Sequence, residues 1–148
     1  MGWMELVGHA IQYIEDHITE DLSVEAIARQ VSVSPFYFQK GFAMLCGFTL
    51  GEYIRNRRLA LAGNEIAGGN EKIIDIALKY GYETPESFTK AFSRFHGFPP
   101  SQVRKRPSLA RSFLPICIHV DIRGGADDIP PSFTPVRMQF RHAKGHRE

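Results

Sequence analysis

A short pattern occurs twice in this chain of 148 residues. Residues 27–42 and 76–92 align when one inserted residue is allowed in the second copy. The matching positions are Ile27 with Ile76, Ala28 with Ala77, Ser34-Pro35 with Thr84-Pro85, Phe38 with Phe88, Lys40 with Lys90, Phe42 with Phe92, and Gly47-Phe48 with Gly97-Phe98. An internal repeat constrains a fold more strongly than a single motif, because each copy has to form a similar structural unit.

Each copy predicts a helix, a tight turn and a second helix. The pairs Ser34-Pro35 and Thr84-Pro85 are typical of helix starts, because the hydroxyl caps a free backbone N–H and proline has no N–H to leave unpaired. Two phenylalanines four residues apart then predict one buried helix face. Gly47 and Gly97 predict the helix ends. This arrangement is that of a helix-turn-helix DNA reader.

Further helices surround the two copies. Apolar residues from Trp3 to Ile18 follow helical spacing and predict a first helix. A capping box at residues 49–52 begins a connecting helix over about residues 50–66, which would be roughly 25 Å long. Ser101 is expected to cap a short last helix. The expected fold is all-α, a tandem helix-turn-helix domain.

The last part of the sequence has a different character. Residues 115–123 alternate apolar and polar side chains, which predicts a β-strand. A single strand needs a partner to be stable, so the tail is interpreted as the start of a further domain or as a segment that pairs with something else. The expected boundaries are 1–107 for the helical domain, about 22–48 and 71–98 for the two helix-turn-helix units, and 108–148 for the extension.

Charge is segregated along the chain although the formal net charge is only +2. Residues 1–28 contain six acidic and no basic residues, whereas residues 29–107 contain twelve basic and six acidic residues. A basic segment of this kind can face phosphate while the acidic first helix points elsewhere. The alternative is that these charges only solvate helix faces.

Other functional classes have little support in the sequence. The two cysteines form no CxxC motif, and no signal peptide or membrane-spanning run is present, so a cytoplasmic protein is expected. No nucleophile elbow, phosphate loop or framed carboxylate pair indicates an enzyme. His142 and His146 are four residues apart but have no third ligand nearby, so we expect no metal and no cofactor.

The first unit offers three candidate base-contacting residues. Removal of the core positions from its second helix leaves Phe36, Tyr37, Gln39, Lys40 and Ala43 on the outside, and Phe36, Gln39 and Lys40 are the candidates for base contact. Gln39 can pair with adenine, Lys40 can reach guanine, and Phe36 can contact a thymine methyl group. In the alternative interpretation Gln39 and Lys40 are ordinary surface residues and Phe36 completes the core.

The second unit offers Glu86, Ser87, Thr89 and Lys90, and of these Glu86, Ser87 and Lys90 are the candidates for base contact. Ser87 and Lys90 suit contacts to bases or phosphates. Glu86 could accept a hydrogen bond from cytosine, but a carboxylate at a helix start more often only complements the helix dipole. The second unit is therefore expected to read DNA more weakly than the first. Candidate phosphate-contacting residues complete the expected site: Ser34, Arg55, Arg57, Thr84, Arg94 and Arg104.

The stretch from about Leu22 to Arg106 resembles the DNA-binding domain of the AraC/XylS transcriptional regulators. The residues that carry the resemblance are 22–28, Ser34-Pro35, Phe42, 51–55, Arg58-Leu59, 74–77, Gly81-Tyr82, Phe88, Phe92 and 97–101. The resemblance implies seven helices, with two recognition helices in successive major grooves on one face of double-stranded DNA. It also implies monomeric binding, and it places the base contacts at the six residues of the two units named above.

The resemblance implies further partners. Activators of this family commonly contact RNA polymerase, and the acidic first helix suits such a contact. The predicted strand of the extension is similar to the beginning of the ligand-sensing domain that follows the DNA-binding part in some relatives, so the extension is expected to be the start or remnant of an effector-binding domain. A small-molecule effector is expected only if such a C-terminal domain exists. The alternative function is a helical protein-interaction module, for example one that contacts RNA polymerase, with weak or lost DNA binding.

Overall fold

The computed structural model describes residues 2–118 and 138–139, and it confirms the all-α fold. None of the helices in these residues is long and apolar enough to cross a membrane. The described chain forms seven α-helices and one 3-10 turn, with these bounds: α1 Trp3–Asp16, α2 Val24–Gln30, α3 Pro35–Cys46, α4 Leu50–Gly68, α5 Ile73–Lys79, α6 Pro85–His96, α7 Pro100–Lys105 and the turn Pro107–Leu109.

The ends of the two repeated helices, α3 and α6, are built in the same way. Ser34 and Thr84 each accept a hydrogen bond from the backbone N–H three residues later, at 3.3 and 3.2 Å. Gly47 and Gly97 end the helices with φ angles of 75° and 83°, a left-handed conformation that glycine adopts at little cost. The predicted cap at Ser101 is wrong, because Pro99 precedes α7 and provides no side-chain cap.

The turns of the two units also match. The residue after each turn donates its backbone N–H to the alanine carbonyl of the preceding helix, Ala28 or Ala77, at 3.2 and 3.0 Å. Both turns contain one residue with positive φ, which is Ser32 at 56° in the first unit and Gly81 at 89° in the second. The repeat in sequence is therefore also a repeat in backbone geometry. The one residue that is inserted in the second copy follows the second turn and leaves the turn itself unchanged.

Each unit has its own hydrophobic core, and α4 contributes to both. The first core contains Phe38 and Phe42, and the second contains Phe88 and Phe92, all of them fully buried. The first half of α4 adds Leu50, Tyr53 and Ile54 to the first core, and the second half adds Leu59, Ala62 and Ile66 to the second. The connecting helix α4 is thus part of both hydrophobic cores, in addition to joining the two units.

A glycine inside α4 permits close packing in the second unit. A Cβ atom at Gly63 would lie 2.4 Å from the ring of His96, which is buried. His96 in turn contacts Phe92, with ring centroids 4.1 Å apart. The second core therefore depends on a position in α4 that has no side chain.

Packing continues beyond the predicted domain boundary at residue 107. Ile116 is buried in the first core, and Phe113 packs against it. Cys117–Ile118 pairs antiparallel with Met138–Gln139, with Cys117 opposite Gln139. The remaining residues of the predicted strand lie outside the described residues, as do His142 and His146.

Comparison of the two turns yields a stability prediction. Ser32 is exposed and holds a left-handed conformation that costs an L-residue roughly 1–2 kcal/mol, whereas the matching residue Gly81 does not bear this cost. We expect Ser32→Gly to raise the free energy of unfolding by about 0.5–1 kcal/mol, because glycine loses part of the gain through its more flexible unfolded state. Urea unfolding followed by circular dichroism measures this change.

The reciprocal substitution provides the control. Gly81→Ala is expected to lower the free energy of unfolding by about 1 kcal/mol, although its Cβ would approach a neighbouring atom no closer than 3.7 Å. If both variants unfold at the urea concentration of the parent, the turn conformations do not determine stability as described.

Candidate nucleic-acid interface

Helix α3 has one buried and one exposed face. Phe38 and Phe42 are fully buried, whereas Phe36 is 75% exposed. Gln39 and Lys40 are exposed on the same outer side. The structure therefore rejects the alternative in which Phe36 completes the core, and it brings the three candidate base-contacting residues of the first unit onto one accessible surface.

The outer surface of α3 includes Tyr37, as the sequence indicated, and also Met44, which the sequence interpretation missed. Met44 is 79% exposed and lies one helical turn after Lys40, so its spacing could have identified it. Tyr37 is 56% exposed, and its ring centroid lies 5.2 Å from that of Trp3 in α1. Gly41 allows this approach, because a Cβ atom there would lie 2.4 Å from the Trp3 ring. The exposed face of the first unit is thus aromatic and apolar around a lysine.

Helix α6 exposes Glu86, Ser87 and Lys90 at its amino-terminal half. The Ser87 hydroxyl donates to the Thr84 carbonyl at 3.0 Å and accepts from the Thr84 hydroxyl at 2.8 Å. A hydroxyl has one donor and two acceptor positions, so Ser87 keeps one acceptor position for an incoming amino group. Glu86 lies in the first turn of α6, where a carboxylate complements the helix dipole.

The two reading faces differ in chemistry although their backbones match. The first unit is apolar or aromatic at three positions where the second is polar or charged. These pairs are Phe36 with Glu86, Tyr37 with Ser87, and Met44 with Arg94. Lys40 and Lys90 occupy the same position in both units, and neither makes a hydrogen bond or ion pair with another residue in the described part of the chain. The two units therefore share a lysine at this position, but the residues around the lysine differ between them.

The candidate phosphate-contacting residues fall into two groups. Ser34 and Thr84 are exposed helix caps, and Arg55 and Arg94 are exposed on α4 and α6. These four are accessible to a phosphate. The side chains of Arg57 and Arg104 are instead directed into the molecule.

Arg57 is a correction to the sequence interpretation. Its side chain is only 7% exposed, and its Nε and Nη2 atoms donate to the two carboxylate oxygens of Glu15 at 2.7 and 2.8 Å. Its Nη1 atom donates to the Phe113 carbonyl. All three nitrogens are used inside the molecule, so the prediction that Arg57 contacts phosphate is wrong.

Arg104 is also engaged internally. Its Nε atom donates to the Ile66 carbonyl near the end of α4 at 3.3 Å, and its Nη2 atom is buried without a hydrogen-bond partner among the described residues. The side chain is directed against α4, which contradicts its prediction as an outward phosphate contact. Lys105 and Arg106, the next two residues, are exposed.

Two further basic residues have structural partners. Arg58 donates to the carbonyls of Ile18 and Glu20 at 2.9 and 2.7 Å and so fixes the segment after α1 against α4. Lys79 forms an ion pair with Glu65 at 2.5 Å. The number of basic residues in 29–107 therefore overstates the charge that faces solvent.

The environment of Arg57 yields a stability prediction. Arg57→Met should lower the free energy of unfolding by about 3 kcal/mol, the lower end of the range for a broken buried ion pair, because Glu15 retains some solvent exposure. The matched control is Arg55→Met, an exposed position in the same helix, which should change stability by less than about 0.5 kcal/mol. Chemical denaturation compares the two, and equal stabilities of both variants would contradict the structural role of Arg57.

Comparison with known proteins shows which family the chain resembles. A family model described as a helix-turn-helix domain matches residues 27–106, more than half of the chain. The chain is 35% identical over 106 residues to the regulatory protein SoxS of Salmonella typhimurium, an alignment that covers 72% of this chain and 99% of SoxS. It is 36% identical over 99 residues to the transcriptional activator AarP of Providencia stuartii, covering 67% of this chain and 73% of AarP.

A solved structure shares the fold. The C-terminal domain of AraT, a response regulator from Geobacillus stearothermophilus, superposes with a TM-score of 0.63 at 30% identity, covering 68% of this chain and 84% of that domain. The fold, the matched residues and the relatives agree with the expectation from the repeat. The chain belongs to the AraC/XylS family of DNA-binding transcriptional regulators, a family of regulators and not of enzymes.

Proposed function

We propose that this regulator reads an asymmetric DNA site as a monomer, with α3 and α6 in successive major grooves on one face of the duplex. The observation that carries the proposal is the pair Lys40 and Lys90. Both are exposed at the same position of matching helices, and neither is neutralised by another described residue. Because the neighbours of the two lysines differ, the two half-sites differ in sequence.

The first unit supplies most of the base discrimination. Gln39 pairs with adenine and Lys40 donates to guanine, and each good contact is worth about 1–3 kcal/mol of discrimination. Phe36, which is exposed, packs against a thymine methyl group. This combination favours a half-site that contains A·T and G·C pairs next to each other.

The second unit reads DNA through fewer groups. Lys90 donates to guanine or to phosphate, and the remaining acceptor position of Ser87 receives an amino hydrogen from adenine or cytosine. Glu86 either accepts from a cytosine amino group or only complements the dipole of α6. A carboxylate repels phosphate, so the second half-site contributes less to the affinity than the first.

Phosphate contacts come from residues beside the reading helices. Arg55 and Arg94 are exposed cations, and Ser34 and Thr84 present hydroxyls at the starts of α3 and α6. Exposed Lys105 and Arg106 take the place of Arg104 in this set. Such contacts fix the register on the duplex and make the affinity strongly dependent on salt.

A regulator that activates transcription also has to contact the transcription machinery. The exposed acidic residues of the first segment, such as Glu5 and Asp16, suit a contact with RNA polymerase. Glu15 does not belong to this surface, because it is held by Arg57. A small-molecule effector enters this proposal only if residues after 116 belong to a sensor domain.

The test is a titration of the full chain with duplexes selected from random DNA, at several salt concentrations. We expect Lys40→Ala to weaken binding to selected DNA by about 5- to 100-fold and to remove the preference at one or two base pairs. We expect Arg55→Ala to weaken binding to all sequences similarly and to reduce the slope of log affinity against log salt by about one. Lys79→Ala is the matched control, since Lys79 is already paired with Glu65.

The outcomes separate the two functional classes. Affinity that falls steeply with salt, together with the different effects of Lys40→Ala and Arg55→Ala, supports DNA reading. Absence of binding to any duplex at any salt concentration favours the protein-interaction module. If Lys40→Ala and Lys79→Ala bind like the parent while Arg55→Ala does not, the assigned base contact is wrong.

A further inference from the structure

The segment after α7 lies against both helix-turn-helix units. We call residues 110–116 the strap. The family match ends at residue 106, so the strap lies outside the part of the chain that the family model describes. Its contacts therefore require an explanation from this structure.

The ring of Phe113 joins three parts of the molecule. Its centroid lies 5.6 Å from that of Phe48 in the first unit and 6.0 Å from that of Tyr53 in α4. It also lies 6.4 Å from the ring of Phe95 in the second unit, with edge-on geometry. One aromatic side chain thus fills the junction where the two units approach each other. Aromatic rings at these distances attract each other in addition to the apolar area that they bury.

Backbone groups of the strap are tied to both units in addition. The Arg111 N–H donates to Nδ1 of His96 at 2.8 Å, in the second unit. The Phe113 carbonyl accepts from Arg57, whose other nitrogens hold Glu15 of α1. The Ile116 N–H donates to the Tyr53 hydroxyl at 3.3 Å, in the first core. Along seven residues the strap passes from the second core to the first.

His96 is well suited to this contact. Its Nδ1 atom accepts the Arg111 N–H, so its Nε2 atom carries the hydrogen and donates to the Leu59 carbonyl at 2.8 Å. Burial lowers the pKa of His96, which keeps the ring neutral and Nδ1 free to accept. The matching residue in the first unit is Cys46, which has no ring nitrogen. The strap therefore uses a feature that only the second unit has.

Other contacts between the units pass mainly through α4. Within the described residues, the extensive helix contacts join α4 to α3 on one side and to α5, α6 and α7 on the other. No helix of the first unit packs extensively against a helix of the second. A single shared helix can bend or rotate, whereas a second connection restricts both motions. The strap is that second connection.

We propose that the strap sets the orientation of α3 relative to α6, and that Phe113 is a positioning residue for binding of both half-sites together. The proposal rests on the proposed function, in which both helices read one duplex. With the orientation fixed, binding of the first half-site presents the second helix at a high effective concentration. Without the strap, each helix still reads its half-site, but the two bind less cooperatively.

The test compares Phe113→Ala with Leu114→Ala in the full chain. Leu114 is the adjacent strap residue and is 40% exposed, so it is a matched control. Affinity is measured for a selected duplex and for the same duplex with the half-site of α6 randomised. We expect Phe113→Ala to weaken binding to the complete site about tenfold or more, and to leave binding to the half-randomised site unchanged. Leu114→Ala should change neither.

A second readout does not need DNA. Spin labels at Glu25→Cys and Asp75→Cys, both exposed, report the distance between the units in a Cys117→Ser background. Cys46 should stay unlabelled, because it is fully buried and burial raises the pKa of its thiol to about 12. We expect Phe113→Ala to broaden the distance distribution and Leu114→Ala to leave it narrow. Phe113→Leu keeps an apolar side chain at this position and is measured in case the alanine variant does not fold. We expect it to broaden the distance distribution less than Phe113→Ala does.

The outcomes distinguish failure of this proposal from failure of the proposed function. A narrow, unchanged distribution in both Phe113 variants overturns the proposal, as does an equal loss of affinity for the complete and half-randomised sites. A broadened distribution in a chain that binds no duplex supports the role of the strap in orientation and overturns the proposed function instead.

Discussion

The ion pair between buried Arg57 and partly buried Glu15 lies on α4 between the residues that enter the first core and those that enter the second. The first half of α4 packs into one core and the second half into the other, so a residue between them faces groups from both. Arg57 satisfies its nitrogens with the Glu15 carboxylate and the Phe113 carbonyl, and thereby connects α1, α4 and the strap. An arginine in this position is costly to desolvate unless every donor is paired. Each of its three nitrogens makes one hydrogen bond, which offsets part of this cost at the position where the two cores share one helix.

Under the proposed function, this arrangement lets two weakly specific reading helices act as one regulator. A reading helix with three or four accessible side chains discriminates among a limited set of sequences. Two such helices give a longer recognised site only if both can reach their grooves at once. In our proposal this condition is met by one shared helix, α4, and by the strap, whose central ring contacts both units. The two faces differ in chemistry, with Phe36 in one and Glu86 in the other, and the proposed function therefore predicts a directional DNA site.

Much of this organisation could be predicted from the sequence, because the deciding interactions are local. The caps at Ser34 and Thr84, the final glycines and the spacing of the phenylalanines all act within a few residues, and all were predicted correctly. The exposure of Gln39 and Lys40 followed from the same periodicity. Their contacts with bases remain predictions, since exposure alone does not establish what a side chain binds.

The predictions that were wrong concern residues whose contacts are distant in sequence. Arg57 is held by Glu15, which is 42 residues away in sequence, and a surface arginine cannot be distinguished from a buried one by local pattern when its partner is that distant. Arg104 likewise bonds to a carbonyl 38 residues earlier. The strap was not predicted as part of the domain, because Phe113 and Ile116 lie in a stretch without helical periodicity and are buried only by tertiary packing.

The central claim is that α3 and α6 are held in one fixed relation and meet one face of the duplex. Insertion of about five base pairs between the half-sites of a selected duplex tests it most directly, since half a helical turn moves the second half-site to the opposite face. The account predicts that affinity falls to that of the first half-site alone. Affinity that is unchanged by the insertion would contradict it.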